Sequence, residues 1–195
     1  MTGNHEKPAA PSQHWRWIAA AWGFAEAILF FIVPDVFTSR MALTHSPRQA
    51  VASCGWAVLG ALLGGNLLFL FAQLNPSGAA GFLAALDLIP GISSGLIEFA
   101  GEEVRRRGSA AFFTTAFGGV PYKLCALQAS LQGMGYAAFL SMTVLSRALR
   151  FLVVTAFALG CRYFLLGRVA PKVRTHIHLG CWAVFYGWYF YVMSQ

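Results

Sequence analysis

Charge is what this sequence has least of. Only 11% of its 195 residues are Asp, Glu, Lys or Arg, against about 25% in an average soluble domain. Seven are acidic and 14 basic. A soluble fold of this size leaves much of its surface in water. It could not hide a chain that is 57% hydrophobic, with a mean hydropathy of +0.59. Lipid is the simpler solvent. The length allows roughly four to six membrane segments of about 20 residues each.

Other absences exclude further classes. The four cysteines, Cys54, Cys125, Cys161 and Cys181, show no CxxC spacing and lie in apolar stretches. They read as small core residues, not as a metal or disulfide framework. No HExxH, GxSxG, GxGxxG or P-loop pattern occurs, so the sequence argues against an enzyme and implies no cofactor or metal. His176 and His178 are too few for a metal site. Ser93 and Ser94, in a glycine-flanked stretch, read as turn residues. The net charge of +7 would suggest nucleic acid in a soluble protein. Here the basic residues fall largely between apolar runs, as in cytoplasmic loops, and no nucleic-acid partner is expected. Residues 1–14 are polar, with Pro8 and Pro11, and read as a disordered tail. The apolar sequence that starts at Trp15 lacks a cleavage site in frame and is not a signal peptide.

What is present is a series of apolar runs, two of them broken. The first covers about residues 15–37 and contains Glu26, then Pro34 and Asp35. A charge at the bilayer centre costs about 2.5 to 3.5 kcal/mol on insertion scales. Proline removes a helix donor. The pattern predicts a helix that enters, breaks and turns back. Such backbone is tolerated only where protein or a wet cavity surrounds it. Arg40 to Arg48 reads as a short basic loop, with Pro47 at a helix start. Gln49 to Leu86 contains no charge, and Ala50 to Leu74 is long enough to span. Gly60, Gly64 and Gly65 form a small-residue ridge along it. Gly60 and Gly64 are candidates for pairing with a second copy. Asn75, Pro76, Ser77 and Gly78 read as a turn that ends the helix.

Asp87, Pro90 and Gly91 interrupt the next stretch. Ser93 to Arg107 then alternates apolar and charged faces, as an interfacial helix does. The second broken run covers about residues 109–132, with Gly118, Gly119, Pro121 and Lys123 at its centre. Gly135 to Leu166 is long enough for a tilted or broken span and carries Arg147 and Arg150 on one face. The basic stretch from Arg162 to Arg174 reads as cytoplasmic. The last helix, His176 to Met193, carries rings suited to an interfacial belt and puts the C-terminus on the outer side.

The fold class is therefore an all-α integral membrane protein. It has two re-entrant helical hairpins, about three spanning helices and an interfacial amphipathic helix, in one membrane domain over residues 15–195. Intramembrane charges are functional candidates by default. Lys123, Arg147 and Arg150 are such charges, and the two arginines, three apart on a helix, can clamp an oxyanion such as a phosphate. Glu26 and Asp35, in low dielectric, can bind and release protons. Paired interrupted segments point to a transporter's binding site.

These segments resemble the DedA (SNARE-associated, VTT-domain) membrane proteins, in their YqaA-like branch. Phe24-Ala25-Glu26 followed by Val33-Pro34-Asp35 is similar to the first hairpin of that branch. Ser46-Pro47-Arg48-Gln49-Ala50 leading to Leu59–Gly65 resembles its arginine-capped first span with its glycine ridge. Gly118-Gly119-Val120-Pro121-Tyr122-Lys123 resembles the second hairpin, and Ser146–Phe151 the arginine pair that follows. Many members carry an arginine three residues before the second proline, where this chain has Gly118. Lys123 or Arg147 then takes that role, or the substrate differs. The resemblance implies an inner-membrane transporter or scramblase, moving a polyprenyl phosphate or phospholipid between leaflets with proton coupling, with Lys123, Arg147 and Arg150 on the lipid phosphate and Glu26 and Asp35 as the proton-responsive carboxylates. Two other functions fit the same residues: a proton-coupled small-ion or solute transporter, and a non-transporting assembly factor for membrane proteins.

Overall fold

Ser46 precedes the helix that carries the longest uncharged stretch. Its hydroxyl accepts the Gln49 N–H at 3.3 Å, and its own N–H donates to Gln49 Oε1 at 3.2 Å. This reciprocal cap satisfies two orphan donors. Pro47 follows at the first helical position, where a missing N–H does no harm. The computed structural model describes residues 13–28, 32–89 and 91–193, and they form nine α-helices and no strand. In order these are α1 (His14–Ile28), α2 (Asp35–Thr44), α3 (Pro47–Leu74), α4 (Pro76–Leu86) and α5 (Ser94–Arg107). After them come α6 (Ala111–Phe117), α7 (Tyr122–Leu131), α8 (Tyr136–Phe164) and α9 (Pro171–Met193). The expected tail falls mostly at residues 1–12, outside the described residues. Pro90 lies outside them too.

α3 and α8 are the two helices long and apolar enough to cross a membrane. Twenty-eight residues reach about 42 Å at 1.5 Å each, ample for a hydrocarbon core of about 30 Å. α8 is continuous rather than broken. α9 has the length but, with its histidines and tyrosines, not the hydropathy.

α1 lies against α3 through glycines from both helices. A Cβ added at Gly23 would come 2.1 Å from the Ala57 carbonyl oxygen. One at Gly60 would come 1.9 Å from the Ala20 oxygen, and one at Gly64 2.8 Å from Ala27 Cβ. Close backbone approach of this kind is how helices gain contact where water supplies no drive. The ridge read as a surface for a second copy is thus filled by the chain's own α1, which leaves Gly60 and Gly64 no face to offer outward.

Two further expectations change. The Arg40–Arg48 loop shrinks to His45 and Ser46, because α2 runs on to Thr44 with Met41, Ala42 and Leu43 buried. The Asn75–Gly78 turn is instead a helix start. Asn75 Oδ1 accepts the Gly78 N–H at 2.9 Å, and α4 follows directly. Ser93 and Ser94, read as turn residues, instead start α5: Ser93 caps it by accepting the Leu96 N–H at 3.2 Å, and Ser94 is its first residue.

The ends of the helices sort the charges. The start of α1, the end of α2, the start of α3 and the end of α8 meet in one cluster around Ala19, Met41, Ala50 and Ala158. Arg162 Nη1 donates to the Ala42 carbonyl at 2.9 Å and to that of His45, closing the end of α2. Arg16, Arg40, Arg48, Arg168, Lys172 and Arg174 belong to the same end of the bundle. At the opposite end Tyr136 donates to Asn66 at 2.6 Å, and Gln132 donates to the Gly101 carbonyl of α5. The acidic residues of α5 lie there, beside its arginines.

Candidate functional site

Both broken runs are helix–break–helix. In the first, α1 ends at Ile28 and α2 begins at Asp35. Trp22 Nε1 donates back to the Ile32 carbonyl at 2.7 Å, and Trp22 sits 6.0 Å from Phe37, ring to ring. In the second, α6 ends at Phe117 with Gly118 as its cap, and Gly119 turns the chain with φ +78, a conformation glycine adopts without strain. Pro121 then leads into α7. Phe112 and Tyr122 face each other across this break, and Cys125 bonds Thr115 at 3.2 Å. Neither α2 nor α7 has a side-chain cap, so the first N–H groups of both lack that partner.

The charges sit where the breaks meet. Asp35 is 1% exposed, and its Oδ2 accepts from Arg150 Nε at 2.8 Å. Arg150 Nη1 donates at 2.7 Å to the carbonyl of Ala116, near the end of α6. One guanidinium thus reaches both breaks. Glu26, 4% exposed, accepts from Arg147 Nη2 at 3.3 Å. Arg147 also lies 4.1 Å above the Tyr122 ring, a favourable cation–π geometry. The Tyr122 hydroxyl meets Thr143 Oγ1 at 2.9 Å. It occupies the space over Gly65, where a Cβ would fall 1.9 Å from that oxygen. Lys123, 1% exposed, completes the group. Among the described residues, Glu26 Oε2 and Asp35 Oδ1 are buried and accept no hydrogen bond.

A cavity of about 290 Å³ opens between the breaks. Glu26, Asp35, Lys123 and Arg150 all line it, with Val33, Gly119 and Pro121 from the breaks themselves. Arg147 does not. It stands behind Glu26 and acts on the cavity through that carboxylate. Pro34 lies beside the cavity as the residue before Asp35. Gly118 caps α6, and a Cβ there would come 2.9 Å from the Thr114 oxygen. On the lining, Lys123 and Arg150 balance Glu26 and Asp35, and Arg147, paired with Glu26 from behind, brings the buried group to one positive charge in excess. A low-dielectric pocket with that balance favours an anion, and a protonated carboxyl adds a donor for it.

The remaining wall was not foreseen. Trp182, Phe185, Tyr186 and Tyr189 of α9 face the cavity, although the sequence suggested an interfacial belt. Their spacing of three, four and seven is one helix face, and that periodicity was the available signal. α9 is fastened by polar bonds. The Val33 N–H donates to Tyr186 Oη at 2.9 Å. Ser39 Oγ and His178 Nε2 are 2.8 Å apart, and Trp182 Nε1 donates to the same imidazole nitrogen at 3.0 Å.

Comparison with known proteins adds one relative. The chain is 29% identical over 167 residues to a protein of Haemophilus influenzae described as an uncharacterized protein, covering 83% of this chain and 79% of that one. No protein-family model matches the chain. No solved structure matches it either.

Proposed function

We propose that this protein is a membrane lipid transporter or scramblase of the DedA type, moving a phosphate-bearing lipid between leaflets with proton coupling. One observation carries the reading: a single cavity between two broken helices holds both carboxylates, Lys123 and Arg150. Paired helix breaks around a buried site are how transporters build a binding site at mid-membrane.

On this reading both hairpins are re-entrant, α3, α8 and α9 span, and α5 lies at the interface. The end that gathers Arg40, Arg48, Arg162 and Lys172 is cytoplasmic, in an inner membrane, and the C-terminus is outside. The phosphate enters the cavity and takes Lys123 and Arg150 as its cationic partners. Asp35 competes with it for Arg150. A proton on Asp35 removes the competing charge and supplies an O–H donor, so proton binding and phosphate binding favour each other. Glu26 answers in the same way to Arg147.

Reconstitution tests this. Purified protein in liposomes is expected to move labelled polyprenyl phosphate or phospholipid, at a rate that changes with an imposed pH gradient. Lys123→Ala and Asp35→Asn are each expected to abolish that movement while still inserting. Lipid left undisturbed by the wild type, with and without the gradient, overturns the proposal.

A further inference from the structure

α8 and α9 are consecutive helices joined by residues 165–170. Neighbours on so short a connection ordinarily pack along their length. These two diverge, and α9 lies on α2 instead. Between them runs a groove of about 480 Å³. Small residues, Ala158, Cys161 and Cys181, line it, and Phe157, Leu165 and Ile177 add bulk. Its two polar side chains, Ser39 and His178, bond each other. The groove adjoins the charged cavity: Val154, Trp182 and Phe185 belong to the walls of both.

We infer that the groove holds a single hydrocarbon chain, the tail of the amphiphile whose phosphate occupies the cavity. A polar pocket beside an apolar slot suits one amphiphile, headgroup and tail. Ligand sites typically pair a mostly apolar lining with a few convergent polar groups. This groove, of about 480 Å³ and lined mostly by apolar side chains, is one slot along one side of the cavity, and we assign it one chain. The inference rests on the transport reading for the headgroup, and the groove supplies the tail.

The native thiols report on it. Cys54 and Cys125 are fully buried, whereas Cys161 and Cys181 line the groove and are the accessible pair. With the protein in phosphatidylcholine nanodiscs, a low mole fraction of hexadecyl phosphate is expected to slow maleimide labelling of Cys161 and Cys181 several-fold. Butyl phosphate, which has no long tail, is expected to leave the rate unchanged. Filling the groove with Ala158→Trp, or with Cys181→Trp if the first does not fold, is expected to abolish transport of hexadecyl phosphate in liposomes. Three results overturn the inference: unaltered labelling with hexadecyl phosphate, equal protection by hexadecyl maltoside, or equal protection by a two-chain phosphatidic acid. Transport without protection rejects the groove alone. Protection without transport rejects the transport reading and leaves the groove.

Discussion

Asp35 uses one carboxylate oxygen on Arg150 and leaves the other without a hydrogen bond. Breaking a buried pair from one side is worse than removing both partners, because the survivor keeps its charge without its partner. Arg150→Gln is therefore expected to destabilise the fold by about 3–5 kcal/mol. The Asp35→Asn/Arg150→Gln double variant should recover most of that. Thermal unfolding in detergent checks the cycle, and additive losses would refute the pairing. Glu103 makes a different residue-scale prediction. Thr114 Oγ1 donates to it at 2.9 Å, and Arg107 pairs with it at 2.8 Å. The Thr114 bond first, then Arg107, holds its carboxyl below the ordinary 4.5. A depressed folded pKa stabilises fully above the unfolded value and loses that contribution as pH falls through the folded one. The gap in melting temperature between wild type and Glu103→Gln should thus be present at neutral pH and close at pH values below 4.5. A gap that widens on acidification would contradict the assignment.

At the scale of elements, the α1–α3 seam is the most exacting contact. Gly60→Ala drives a methyl into the Ala20 carbonyl, 1.9 Å away. A shift of α1 is required, and overpacking of this kind costs about 1–3 kcal/mol. Gly81→Ala, in α4 with open space around it, is expected instead to stabilise by about 0.5–1 kcal/mol, the usual helix gain over glycine. Melting the two variants side by side separates a packing glycine from an idle one, and equal shifts would show that α1 does not sit on Gly60. The elements were largely legible from residues. Pro47 and the two-faced pattern from Ser93 to Arg107 announced two helices, though not the Ser46 and Ser93 caps. Pro34 and Gly118–Pro121 announced both breaks, because proline and glycine act locally. The extension of α2 past Arg40 was not legible, because tertiary burial of Met41 and Leu43 drives it. Nor was the partner of the glycine ridge, since a small-residue face does not say which helix will fill it. In the site, the five charges stood out by their cost in apolar sequence. Their pairing did not, because Glu26 and Arg147 lie 121 residues apart.

The whole molecule has a basic end and a mixed end, and membrane proteins orient by that asymmetry. Lys172→Cys is expected to react with an impermeant maleimide only from the cytoplasmic side. Ser77→Cys, at the start of α4, should react only from the other. Labelling of both from one side would overturn the orientation. Within this frame the glycine seam fixes α1 to α3, while α9 is tied on by a few polar bonds, so α9 is the wall best able to yield to a ligand. Arg150 has a consequence of another kind. Its guanidinium is shared between Asp35 in one break and the Ala116 carbonyl in the other. Whatever draws it toward either partner weakens its hold on the second. Binding energies linked through one shared group must act equally in both directions. On the proposed transport reading, a proton arriving at the first break therefore changes how firmly the second is closed. By the same amount, opening the second changes the proton affinity of the first.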